Sequence, residues 1–168
     1  MPGNPLTGNQ IGLGGGCHWC TEAVFQALRG VEQVSQGFIR SASPDDTYSE
    51  AVLVTFNPQE LKLADLIEVH LRSHASTSQH SMRGKYRSAV YVFSPEQALD
   101  AKIILSTLQK QFEAPLITRV LAFDGFEISQ ERFQNYFKKN NQKPFCKRHI
   151  DPKLDKLRAD YARLLDDS

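Results

Sequence analysis

The chain has 168 residues, a net charge of +1, 40% apolar and 23% charged residues. That length and balance suit one compact domain with a core that needs neither disulfides nor metals. The near-neutral charge excludes binding to nucleic acid or a membrane surface through net charge. No apolar run is long enough to span a bilayer, and the opening MPGNPLTGNQ lacks the charged-then-apolar order of a signal peptide. The expectation is a soluble cytoplasmic monomer with a single domain over 1–168, flexible over 1–10.

In chain order, Ile11–Leu13 reads as a short strand that stops at Gly14, Gly15 and Gly16. Trp19–Leu28 reads as a helix, Val31–Arg40 as a strand and Ser41–Tyr48 as a turn-rich loop. Glu50–Phe56 is β-rich and Asn57-Pro58 stops it. Leu63, Leu66, Ile67, His70 and Leu71 recur at helical spacing within 61–74. Arg87–Phe93 alternates as a strand, and Ser94-Pro95-Glu96-Gln97 opens a helix with a cap residue, a proline at its first position and a glutamine in its first turn. Ile117–Phe123 is a further strand and Gln130–Lys139 a short helix. Asn140–Ile150 reads as irregular, and Pro152–Leu165 as a closing helix with Leu154, Leu157, Tyr161 and Leu164 on one stripe. This order, β-α-β-β-α-β with additions, predicts an α+β fold. Its core is a ferredoxin-like split β-α-β unit, a mixed sheet with helices packed on it, followed by an irregular C-terminal coil and a terminal helix.

The most informative stretch is Gly14-Gly15-Gly16-Cys17-His18-Trp19-Cys20. A strand runs through glycines straight into a helix, which puts Cys17 among free amides and a partial positive charge. A cysteine there holds more thiolate than usual, and the thiolate is the nucleophile. The three cysteines, Cys17, Cys20 and Cys146, form an odd set that argues against a structural disulfide framework and for thiol chemistry. The Cys-x-x-Cys pair reads first as a redox pair. Zinc held with Cys146 and His149 ranks well behind, because a strand–glycine–helix setting suits chemistry better than a metal knuckle.

GGGCHWCTEAVF at Gly14–Phe25 resembles the signature GGGCFWGVEAVF of the peptide methionine sulfoxide reductase A family. Further blocks follow in the family's order: Ser49-Glu50-Ala51-Val52, Val54–Pro58, Tyr86-Arg87-Ser88-Ala89, Phe133-Gln134-Asn135-Tyr136 and Phe145-Cys146. The resemblance implies reduction of methionine-S-sulfoxide, free or in oxidised proteins, through a sulfenic acid on Cys17. It implies that Cys146 resolves this acid as a disulfide. Thioredoxin is then the external reductant, with no bound cofactor and no metal. By the same resemblance Glu50 protonates the sulfoxide oxygen, Tyr86 is a second hydroxyl donor, and Trp19 holds the S-methyl group.

Three departures stand out. His18 replaces the family's phenylalanine in the methyl pocket, where it either packs or tunes the thiolates of Cys17 and Cys20. Cys20 replaces a glycine and is expected to compete with Cys146 as resolver. Phe38 replaces a tyrosine, which removes one hydroxyl donor. The family's aspartate has no clear match, with Ser81 nearest and His80 a possible substitute. The competing readings are a Cys-x-x-Cys thiol-disulfide oxidoreductase and a catalytically weak sulfoxide-binding module on the same scaffold.

Overall fold

A computed structural model describes residues 9–74, 76–78 and 86–165. The flexible leader expected over the first residues falls largely outside the described residues, and the candidate donors His80 and Ser81 lie wholly outside them. The elements are β1 (Gln10–Gly14), α1 (His18–Gln26), β2 (Val31–Arg40), β3 (Ser49–Phe56), α2 (Leu63–Arg72), β4 (Ala89–Val92), α3 (Pro95–Leu108), β5 (Arg119–Ala122), β6 (Gly125–Ile128), α4 (Tyr136–Asn140) and α5 (Asp151–Asp160). No helix among the described residues is long and apolar enough to cross a membrane.

The six strands form one sheet in the order β5-β4-β1-β3-β2-β6. β3 lies antiparallel between β1 and β2, and β1 antiparallel between β3 and β4. That is the expected split β-α-β core. β5 adds to β4 in parallel, and β6 adds to β2 antiparallel.

Gly125–Ile128 was not expected as a strand. It reads poorly from sequence because it is short, starts with glycine after Asp124, and is half to fully exposed. Its partner β2 supplies the pairing that its own composition does not.

Only Phe123 and Asp124 separate β5 from β6, yet these are the two outer strands. Five strand spacings of a flat sheet span about 24 Å, and three residue steps reach about 11 Å. The sheet is therefore rolled until its outer strands meet. Phe123 N–H donates to the Val92 carbonyl of β4, and Asp124 N–H to the Arg40 carbonyl of β2. Within the roll sit Ile39, Ala51, Ala89 and Tyr91, with Leu53, Leu121, Phe123 and Phe126 packed against them. The buried Arg87 guanidinium closes one end, donating to the Tyr91 hydroxyl, Thr47 Oγ1, and the carbonyls of Ile39 and Thr47.

The larger core lies between the sheet and the helices and includes Phe25, Leu66, Ile67, Leu71, Val90 and Leu154. α2 buries Leu66, Ile67, His70 and Leu71 as its spacing predicts. α3 starts as expected: Ser94 Oγ accepts from Gln97 N–H, and the Gln97 side chain accepts from Phe93 N–H. The closing helix is shorter than its pattern. α5 ends at Asp160, and Leu164 sits in a following 3-10 turn, but Leu154, Leu157, Tyr161 and Leu164 are all buried. The expected helix over 130–139 is split into a 3-10 turn, Glu131–Phe133, and the single turn α4. The stretch expected to be irregular ends in a π-helical turn, Cys146–Ile150, that runs into α5.

Candidate active site

β1 delivers the chain to Gly15, whose φ of +153° belongs to the region that favours glycine. A Cβ at Gly15 would overlap the His74 ring. That ring is fixed, because its Nδ1–H donates to the His70 carbonyl (2.5 Å) and its Nε2 meets the Ser88 hydroxyl (2.8 Å). His70 Nε2–H donates in turn to the Gly14 carbonyl (2.7 Å). A carbonyl only accepts, so these proton positions follow from the partners. The two histidines at the end of α2 thus hold the glycine loop that aims Cys17.

Cys17 is the N-cap of α1 and half-buried. Its carbonyl accepts from the Cys20 and Thr21 amides and from the Thr21 hydroxyl, each at 3.1 Å. The Cys20 thiol beside it is the largest influence on the Cys17 sulfur and, as hydrogen-bond partner, lowers the Cys17 pKa from 9.0 to about 7. Burial opposes this, the amides of Trp19 and Cys20 support it, and the Glu50 charge opposes it. The same bond, then burial, pushes the Cys20 thiol up, so the proton of the pair resides on Cys20.

Glu50 stands at the start of β3, buried, and is paired across the sheet with Phe38 of β2. Its Oε1 accepts the backbone N–H of His18 at 3.2 Å, so the carboxyl sits on the opening turn of α1 beside Cys17. His18 is also buried. Its Nδ1 lies 2.7 Å from the Gly37 carbonyl, its Nε2 lies 3.6 Å from Glu50 Oε1, and its ring meets Phe38 edge-on at 5.1 Å. Glu50 is nearly wholly enclosed, at 8% exposure. Tyr86 is half-buried. Its neighbour Arg87 donates its backbone N–H to Ser49 Oγ (2.8 Å), which fastens this segment to the start of β3 beside Glu50.

Trp19 is half-buried in an aromatic cluster that the sequence reading did not foresee. Tyr136 stacks on it at 4.1 Å and Phe133 at 5.2 Å, while Phe145 meets its edge at 5.1 Å. Its buried Nε1 has no hydrogen-bond partner among the described residues. The cluster is held by Glu22, a fully buried carboxylate on α1 that accepts from Gln36 Nε2 and from the amides of Asn135 and Tyr136. Burial raises the Glu22 pKa, and these donors oppose the rise. Nothing in the local sequence marks Glu22 as a tether, since two of its three partners, Asn135 and Tyr136, lie more than a hundred residues away in the chain.

Cys146 was expected on an irregular segment. It is fully buried in the π-helical turn and belongs to the main core. Burial raises its pKa, and the nearby Asp151 adds to the rise. Its charge reaches both Cys20 and Tyr136, and its turn packs against α1. Among the described residues no group of three or more His, Cys, Asp or Glu side chains is placed to hold a metal. The zinc alternative therefore has no ligand set there.

Known proteins match this arrangement along nearly the whole chain. The family model described as peptide methionine sulfoxide reductase matches residues 9–164. A peptide methionine sulfoxide reductase MsrA of Deinococcus radiodurans is 34% identical over 163 residues, covering 88% of this chain and 79% of that protein. Among solved structures, the reduced form of Mxr1 from Saccharomyces cerevisiae superposes with a TM-score of 0.73 at 23% identity, over 84% of this chain and 90% of that one. Mxr1 in complex with Trx2 gives 0.61 at 20% identity, over 75% and 84%. These two likenesses concern the fold. With the family model spanning the glycine loop, the cysteine at the helix start and the closing turns alike, the chain belongs to the peptide methionine sulfoxide reductase family.

Proposed function

We propose that this chain reduces methionine-S-sulfoxide to methionine with Cys17 as nucleophile. One observation carries the reading: a helix-capping cysteine with its pKa lowered to about 7 stands beside a buried carboxyl, Glu50, on the same turn. The Cys17 thiolate attacks the sulfoxide sulfur. The oxygen takes a proton from Glu50 and passes to Cys17, leaving a thioether and a Cys17 sulfenic acid. Sulfur of the substrate is reduced by two electrons and sulfur of Cys17 is oxidised by two. A second thiol then displaces water from the sulfenic acid and forms a disulfide. A dithiol reductant opens that disulfide by exchange. Thioredoxin suits this role, and the complex of the related fold Mxr1 with Trx2 supports it. Tyr86 is proposed as a second donor to the sulfoxide oxygen, with Trp19 and Phe38 beside the S-methyl group.

The pairing of the Cys20 and Cys17 thiols favours Cys20 as first resolver, with Cys146 as the second. It also gives substance to a second reading, a Cys-x-x-Cys oxidoreductase acting on disulfides.

The deciding experiment is thioredoxin-dependent reduction of the two separated methionine sulfoxide epimers, with Cys17→Ser as control. Turnover of the S epimer alone, lost in the variant, supports the proposal. Reduction of insulin disulfides without any sulfoxide turnover decides for the second reading.

A further inference from the structure

We propose that His18 is a positioning residue that holds the proton Glu50 delivers to the sulfoxide oxygen, a role resting on the sulfoxide reductase reading. His18 Nδ1 lies 2.7 Å from the Gly37 carbonyl, which has no proton to give, so the hydrogen is on Nδ1. In a neutral ring Nε2 is then bare, and it faces Glu50 Oε1 at 3.6 Å. A bare nitrogen lone pair against a carboxylate is repulsive. The contact becomes attractive once one proton is placed between them, either as a carboxylic acid facing nitrogen or as an imidazolium facing carboxylate. Both side chains are nearly solvent-free, His18 at 6% and Glu50 at 8% exposure, so their contact is made largely out of water.

The surroundings fix this arrangement. The Gly37 carbonyl is held in place because β2 is paired on both sides at this residue, with Ala51 of β3 and Ile128 of β6. Phe38 abuts the His18 ring edge-on. The backbone N–H of His18 donates to the same Glu50 oxygen, so ring and amide grip one carboxylate. Among the described residues, Cys17 interacts with Glu50 through charge, and Glu22 with His18.

In the reaction, Cys17 enters as thiolate and the transferred oxygen ends as Cys17 S–OH, so one proton must reach that oxygen. The His18–Glu50 pair holds one. Once it has passed from Glu50 to the oxygen, the pair is left as neutral imidazole and carboxylate, and it is refilled from solvent after product leaves. A tyrosine hydroxyl in place of Phe38 would be an alternative donor; here the strand carries no hydroxyl at that position, and the imidazole supplies what is missing.

Two measurements test this. Long-range 1H–15N spectra of the free, reduced protein report each ring nitrogen of His18. The proposal expects protonated Nδ1 and an Nε2 signal displaced from the bare-nitrogen position, moving back towards it in Glu50→Gln. A bare Nε2 that Glu50→Gln does not move overturns the proposal. Single-turnover methionine formation from the S epimer is the second. His18→Phe keeps the ring against Phe38, and His18→Asn keeps a donor for Gly37. Each is expected to slow the step about tenfold to a hundredfold with little change in the sulfoxide concentration giving half-maximal rate. His18→Phe added to Glu50→Gln is expected to cost no more than Glu50→Gln alone, because one residue acts through the other. Full single-turnover rates in both His18 variants, or losses that multiply in the double variant, overturn it. Absence of sulfoxide turnover in the wild type would instead overturn the functional reading on which it rests.

Discussion

The Cys20 thiol lies one helical turn beyond Cys17 and does most to lower the Cys17 pKa. A neutral thiol is thereby used to stabilise its neighbour's charge, and the same contact sets the two sulfurs up to join.

The pH dependence of Cys17 follows. With a pKa of about 7, lowered from 9.0, roughly half of Cys17 is thiolate at neutral pH and about a tenth at pH 6. Alkylation by iodoacetamide is expected to rise through a midpoint near 7. Cys20→Ala removes the S–H donor, so the midpoint should move up towards the ordinary thiol value and the rate at pH 7 should fall. Cys20→Ser keeps an O–H donor and should stay near the wild type. An unmoved midpoint in Cys20→Ala would discard this source of the shift.

The resolving thiol can be read by mass spectrometry. Positions three apart in a helix place their Cα atoms about 5 Å apart, inside the range a disulfide bridges. Cys146 is a fully buried thiol with a raised pKa, and its turn must loosen before it reaches Cys17. After one equivalent of sulfoxide, the bond expected first is Cys17–Cys20, and Cys146→Ser should retain the first turnover. Peptide mapping that finds Cys17–Cys146 as the exclusive bond would sink this expectation.

Glu22 tethers the aromatic wall. Glu22→Ala would leave the Asn135 and Tyr136 N–H groups without their acceptor, and the Gln36 amide with the Phe133 carbonyl alone. Urea denaturation is expected to show a loss of about 3 kcal/mol, and Trp19 fluorescence should shift as the Tyr136 stack relaxes. A loss below roughly 1 kcal/mol would mean that solvent replaces the carboxylate freely.

Arg87 is the corresponding tie within the rolled sheet. Arg87→Met keeps much of the stem and removes the bonds to Tyr91, Thr47 and Ile39. The expected cost is about 3 kcal/mol, measured by the urea midpoint at an unchanged slope. Near-wild-type stability would show that the guanidinium is replaceable there.

Much of this was legible in the chain. Period-2 and helical spacing located the split β-α-β core, since each such element buries one face against a neighbour near in sequence order. The stripe Leu154, Leu157, Tyr161, Leu164 named the right buried residues although α5 stops at Asp160: the last turn tightens, but the same side chains still face the core. β6 was missed because its four residues hold no strand signal of their own and exist as a strand through β2. At the site, Cys17 was marked by its glycines and its helix start. The burial of Cys146, the stack on Trp19 and the Glu22 tether depend on contacts across the chain that spacing does not encode. His18 was visible only as a departure from a pattern, and its meaning came from which carbonyl its ring faces.

The link Phe123–Asp124 bears on how such a protein handles its clients. Oxidised proteins are often loosened, and extended segments add readily to the open rim of a sheet. An open six-stranded sheet has two such rims. Here the two converge, tied by the amides of Phe123 and Asp124 to Val92 and Arg40. A loosened peptide therefore finds little continuous rim to zip onto, and what it can offer is a single oxidised side chain at the mouth of α1. The roll leaves the sheet little edge on which a loosened chain could add.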